Sequence, residues 1–256
     1  MADSPPRRAL VTGAAKRVGR ALAEGLAEAG FDVAVHCHRS RAEAETVASA
    51  IRGRGRRAVV LVADLAREPE AAALVPAAAE ALGPLGLLVN NASAFRRDDL
   101  DTADRASWDA HLEPNLRAPV VLSRAFVRQL PPGAGGLIVN MLDQRVHNLT
   151  ANFLSYSVSR LGLWAATQVM ARELAPRGVR VNAIGPGPTL PAPGMDGAVF
   201  RDIVDGLPLR RGPTPEEIAA TLRFIVAMPA MTGQMVTVDG GQQLGWLTPG
   251  APPDVE

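Results

Sequence analysis

Short apolar, β-branched runs alternate along this chain with longer segments whose apolar positions recur every three or four residues. "RALVT", "FDVAVH", "AVVLVA", "GLLVN", "GLIVN", "VRVNAI" and "MVTV" read as strands, being short, continuous and rich in Val, Leu and Ile. Between them, "RVGRALAEGLAEAG", "RAEAETVASAIRG", "PEAAALVPAAAEAL", "DRASWDAHLEPNLRAPVVLSRAFVRQL", "LSYSVSRLGLWAATQVMARELA" and "PEEIAATLRFIVAM" read as helices. Such alternation predicts a parallel sheet covered by helices on both faces. The expected architecture is α/β: a single doubly wound domain over residues 1–256, with about seven parallel strands.

Two regions fall outside that pattern. The Pro-rich ends, residues 1–6 and 248–256, are expected to be frayed tails. The Pro- and Gly-rich stretch around residues 188–213 is long for a compact fold and is expected to be a substrate loop that lies over a sheet end.

Composition narrows the function. A formal charge of +1, with no basic run interleaved with aromatics, argues against a nucleic-acid partner. Cys37 stands alone, and the four histidines lack ligand-spaced neighbours, so neither a disulfide nor a metal site is expected. "MADSPPRRAL" has no apolar signal core, and no apolar run is long enough to span a bilayer; a cytoplasmic location without membrane attachment is the expectation.

Candidate chemistry gathers after the strands. Gly13 follows the first strand and Gly19 opens the first helix, where backbone N–H groups and a helix N-terminus can hold a pyrophosphate, as in a Rossmann domain. Arg17 stands where a tighter fingerprint has its middle glycine. After the second strand, "HCHRS" supplies Arg39 and Ser40 in place of the acidic residue that would hold a ribose 2′-hydroxyl. A cation and a hydroxyl there, with Arg17 in reach, favour a 2′-phosphate and so NADP(H) over NAD(H). Asp64 in "VADL" is a candidate for adenine recognition. Asn91, Ala92 and Ser93 stand at the edge after the fourth strand, where ligands of open sheets bind.

After the fifth strand, Asp143 lies thirteen residues before Tyr156, the only tyrosine. Tyr156 and Arg160 are at i and i+4 and share one helix face. Asn115 is a poor helix former inside a long helical segment, able to kink it and hold a water. Reducing a C=N bond needs a hydride at carbon and a proton at nitrogen, and a carboxylic acid such as Asp143 is a better donor than a hydroxyl.

On these residues the chain resembles the short-chain dehydrogenases/reductases along nearly its whole length, from the Gly loop to "VDGG". Within them it is most similar to the pteridine reductases, through "TGAAKRVG", "HCHRS", "NNASAF" and an aspartate where most of the superfamily has a serine. The resemblance implies Tyr156 as general acid, Asp143 as second proton donor and Asn115 as the water-holding residue. Arg160 would stand in the place of the family's lysine. It implies NADP(H) bound by Gly13, Arg17, Val18, Gly19, His38, Arg39, Ser40, Asp64, Leu65, Asn91, Ala92, Ser93, Tyr156, Arg160, Pro186, Gly187 and Thr189. It also implies a pterin stacked on Phe95 and touching Arg17, Ser93, Asp143 and Tyr156, and a homo-oligomer, by resemblance a tetramer.

Arg160 departs from the family's Tyr-x-x-x-Lys. A guanidinium can bind a ribose and bias the phenol, but it cannot give up a proton to a relay. The chain has 26 arginines and one lysine, so a general preference for Arg is an equal explanation. Three functions therefore stay open: an NADPH-dependent pterin reductase, a general carbonyl or hydroxyl oxidoreductase, and an NADP(H)-binding sensor without turnover.

Overall fold

A computed structural model describes residues 5–192 and 194–245. Its seven strands are β1 (Arg8–Val11), β2 (Asp32–Cys37), β3 (Ala58–Val62), β4 (Leu87–Asn90), β5 (Gly136–Met141), β6 (Val179–Pro186) and β7 (Met235–Val238). They form one all-parallel sheet in the order β3-β2-β1-β4-β5-β6-β7. The strand order reverses between β1 and β4, which opens a crevice above their C-terminal ends.

Period-two alternation along the strands feeds two separate cores. Ala9, Val11, Leu87, Val89, Leu137 and Val139 point to the face covered by α1 (Arg17–Glu28), α2 (Arg41–Gly53) and α8 (Pro215–Ala227). Leu10, Leu88 and Ile138 point to the other face, under α3 (Glu68–Leu82), α5 (Ala118–Gln129) and α6 (Leu154–Leu174). Both faces being buried, the strands read as continuous apolar runs rather than as polar alternation.

The long segment expected as one helix is three pieces. α4 (Arg105–Leu112) runs into a π-helical turn, Glu113–Arg117, and then α5. Pro114 lies in that turn and Pro119 near the start of α5; neither can donate the N–H that a regular α-helix would need. The stretch expected as an irregular substrate loop holds α7 (Gly197–Asp205). Asp196 caps it by accepting from the Ala198 N–H at 2.7 Å, and Phe200, Ile203 and Val204 make a half-buried stripe. Of the expected tails, Pro5 and Pro6 are placed, with Pro6 O accepting from Arg8 N at 2.8 Å. Residues 248–256 lie outside the described residues. Among the described residues, no helix is long and apolar enough to cross a membrane.

Candidate active site

The turn after β1 is built around two glycines. Gly13 has φ +62 and packs on Ala92, while a side chain on Gly19 would run into the Gly13 carbonyl and the Asn91 amide. Arg17 has φ 54, a left-handed backbone that costs a non-glycine residue about 1–2 kcal/mol. Two side chains, with four hydrogen bonds between them, over-determine this turn. Asn91 Nδ2 donates to Thr12 O and Gly13 O at 2.8 and 3.1 Å, and Thr12 Oγ1 accepts from the Asn91 and Ala92 N–H groups at 2.9 and 3.0 Å. His36 accepts the Gly13 N–H at Nδ1 (3.1 Å) and donates from Nε2 to Ala63 O (3.1 Å), a role that nothing in its sequence setting signals. Burial holds its pKa down at about 4, with nearby His38 adding to the effect against the Ala63 bond, so His36 is a neutral strut.

Beside this turn is a cavity of about 410 Å³ lined by Gly13, Lys16, His38, Arg39 and Ser40, and also by Arg96 from the loop after β4. Arg17, expected at both cofactor and substrate, does not line it: its Nη2 donates to Leu190 O at 3.2 Å, in the stretch expected as a substrate loop. Asp64 lies near by, 3.8 Å from His38 Nε2, with Oδ1 accepting from Ala66 N. Leu65 is buried in the turn after β3, and Val18 is half-buried in the first turn of α1. On the far side of the crevice, Pro186 ends β6 and Gly187 packs against the Asp239 backbone, with Thr189 Oγ1 donating to Gly187 O at 3.1 Å.

Above β5 and the start of α6 the titratable groups meet. The Tyr156 hydroxyl donates to Asp143 Oδ2 at 2.8 Å. The same oxygen takes Arg145 Nη1 at 3.2 Å, and Asp143 Oδ1 accepts from the Arg145 N–H at 2.9 Å. Asp143 therefore faces three donors. Burial raises the Tyr156 pKa well above 10.0, the Asp143 charge raises it further, and Arg160 opposes both. Arg160 is buried, its guanidinium carbon 5.2 Å from the Tyr156 ring centre. Nη1 donates to Met141 O at 3.0 Å and Nη2 to Ser93 Oγ, while Nε is buried without a partner among the described residues. An orphaned buried donor beside a phenol, a glycine turn with no room for side chains, and a cavity bearing Lys16, Arg39, Arg96 and the Ser40 hydroxyl suit a long, phosphate-bearing cofactor.

Asn115 sits in the π turn, where its side chain bonds both neighbouring segments. Oδ1 accepts from Ala94 N at 2.8 Å, and Nδ2 donates to Ala94 O at 2.9 Å and to Ser159 Oγ at 3.2 Å; Ser159 in turn bonds Tyr156 O at 2.6 Å. Its side chain clamps the loop after β4 to the helix of Tyr156. Phe95, the expected stacking surface, is 40 % exposed, yet one partner already lies parallel to it. The Phe153 ring is 4.7 Å away at 12°, and Tyr156 meets Phe95 edge-on at 4.7 Å. Arg145 lies 5.7 and 5.2 Å from the Phe95 and Phe153 ring centres.

A buried cluster that the sequence did not signal lies under these rings. Asp98 accepts from Ser155 N (3.2 Å) and Ser155 Oγ, and Ser155 Oγ also meets His111 Nδ1 at 2.6 Å. Phe153, the residue at the N-terminus of α6, makes no side-chain cap, so Asp98 caps the helix from another loop.

The family model described as short chain dehydrogenase matches residues 7–201. The chain belongs to the short-chain dehydrogenase family. Among solved structures it is similar to the FolM alternative dihydrofolate reductase 1 from Brucella canis complexed with NADP: 44 % identity, TM-score 0.90, covering 97 % of each chain. A short chain dehydrogenase from Burkholderia cenocepacia in complex with NADP is 36 % identical, with TM-score 0.86 over 91 % of this chain and 96 % of that one. The 3-oxoacyl-[acyl-carrier-protein] reductase of Synechocystis is 32 % identical over 91 % of this chain and 95 % of its own length.

Proposed function

We propose that the protein is an NADPH-dependent reductase that saturates a ring C=N bond of a pterin-like substrate, such as dihydrofolate, dihydrobiopterin or dihydromonapterin. The observation that carries this reading is the 2.8 Å bond from the Tyr156 hydroxyl to Asp143, a carboxylate in a place where a ketone reductase needs only a hydroxyl. The FolM dihydrofolate reductase, at 44 % identity, supports the substrate class, and the NADP in both solved relatives supports the cofactor.

The nicotinamide would supply the hydride. Lys16, Arg39 and Ser40 would hold the phosphate end, and Arg160, Pro186 and Gly187 would border the nicotinamide riboside. Tyr156 stays protonated at neutral pH and gives its proton to the ring nitrogen. Asp143 orients that hydroxyl, and the phenolate would take its next proton from water. Arg145 and Arg160 flank the pair, so with Asp143 ionised the four groups go from one net positive charge to neutrality as the proton leaves. The two guanidinium groups offset the phenolate charge left behind, against the hold that burial and the Asp143 charge keep on the proton, and no proton is needed from Arg160.

A second reading is a carbonyl reductase. It is favoured by Asp143 accepting from three donors, which lets it orient Tyr156 without donating, and by the Synechocystis 3-oxoacyl reductase. NADPH consumption by purified protein with 7,8-dihydrofolate, 7,8-dihydrobiopterin, 7,8-dihydromonapterin and acetoacetyl-CoA separates the two. The pterin reading predicts turnover of at least one pterin and little of the thioester. Turnover of acetoacetyl-CoA alone would replace it with the carbonyl reading.

A further inference from the structure

The cavity beside the glycine turn has one lining residue that comes from neither of the first two strand ends. Gly13, Lys16, His38, Arg39 and Ser40 belong to the turns after β1 and β2, whereas Arg96 reaches in from the loop after β4. It occupies the place expected for Arg17, whose guanidinium is turned to Leu190. Lys16 is partly neutralised by Glu43 at 2.6 Å, while among the described residues neither Arg39 nor Arg96 makes an ion pair. Two cations without acidic partners thus share one cavity, a composition that suits a dianionic phosphate.

The base of Arg96 is fixed. Its N–H donates to His111 Nε2 at 3.0 Å, and His111 Nδ1 meets Ser155 Oγ, one residue before Tyr156. Only the side chain must be ordered for the guanidinium to close on a ligand, which limits the entropic cost of binding.

We infer that Arg96 is part of the cofactor site, reading the 2′-phosphate of NADP(H) from across the crevice together with Arg39. The inference rests on the NADP(H) reading above. It makes the loop that carries Phe95 a partner in cofactor selection: the same six-residue stretch, Asn91 to Arg96, would touch the phosphate end at Arg96 and the substrate at Phe95.

The test is equilibrium binding of NADPH, NADH and adenosine 2′,5′-bisphosphate to the wild type and to Arg96→Ala, Arg96→Lys and Arg97→Ala. Arg97, whose Nη2 bonds Asn152 Oδ1 at 3.0 Å, is the neighbouring control. Loss of a charge-assisted phosphate contact predicts that Arg96→Ala weakens NADPH and the bisphosphate by about tenfold or more, and NADH by less than about twofold. Arg96→Lys should recover part of the loss, and Arg97→Ala should change nothing. Equal weakening of NADPH and NADH, or no weakening of either, overturns the assignment of Arg96 and leaves the cofactor reading standing. Failure of the wild type to bind NADPH or the bisphosphate overturns both.

Discussion

The Tyr156 hydroxyl and Arg145 Nη1 converge on the same oxygen of Asp143, at 2.8 and 3.2 Å. Arg145 stands two residues beyond Asp143, and its N–H also closes the turn on Oδ1, so the acid, the cation and the phenol are held as one unit. The proton available at this site is thus the phenolic one, and the Asp143 charge controls how tightly it is held.

Because Tyr156 is the only tyrosine, that control can be measured directly. Titration followed by the ultraviolet absorbance of the phenolate should give a midpoint above 10.0 in the wild type. Asp143→Asn removes a nearby negative charge and should bring the midpoint down, whereas Arg145→Leu should push it up. Unfolded chains ionise the phenol near 10 while the folded chain retains its proton, so stability should fall as pH rises above that value. An unchanged midpoint in Asp143→Asn would mean that the two side chains are not coupled in solution.

His36 makes the opposite limb. Its folded pKa is held at about 4 against an ordinary 6.5, so between those values the unfolded chain binds the extra proton. Its stabilising effect should be complete above pH 6.5 and be lost as pH falls towards 4, on the order of 3 kcal/mol in all. Urea unfolding at pH 7 and at pH 4.5 should show that loss in the wild type and much less of it in His36→Asn. Equal slopes in the two proteins would remove His36 from the account of the glycine turn.

Asp98→Ala leaves Ser155 N, Ser155 Oγ and the Ser107 hydroxyl without their carboxylate partner. Loss of this external cap should lower stability by about 2 kcal/mol, with Asp98→Asn retaining part of it through its remaining side-chain oxygen. Chemical denaturation checks this, and a loss below about 0.5 kcal/mol, the size of an ordinary surface substitution, would show that α6 is capped by other means.

Much of this was legible in the sequence because it depends on local period and composition. All seven strand runs and the 154–174 helix follow from apolar spacing, and the glycine turn, Arg39 with Ser40, and Asp143 with Tyr156 follow from position after a strand. What escaped depends on contacts between distant segments. Asp98, His111 and Ser155 come from three elements, and nothing in "RRDD" marks one aspartate as a helix cap. Arg145 was hidden by the abundance of arginine, His36 by its place in an alternating His-Cys-His run, and α7 by prolines that flank rather than interrupt it. The motif places Arg17 near both phosphate and substrate but cannot show its left-handed backbone or its bond to Leu190 O.

The most direct test of imine reduction exchanges the carboxylate for the serine found at this place in most of the superfamily. Rates for Asp143→Ser should be compared with wild type on 7,8-dihydrofolate and on a simple ketone, with NADPH affinity measured alongside. If Asp143 serves proton transfer to nitrogen, pterin turnover should fall by roughly 10²-fold or more while ketone turnover holds or rises. Pterin reduction that survives Asp143→Ser unchanged would contradict the proposed role of Asp143.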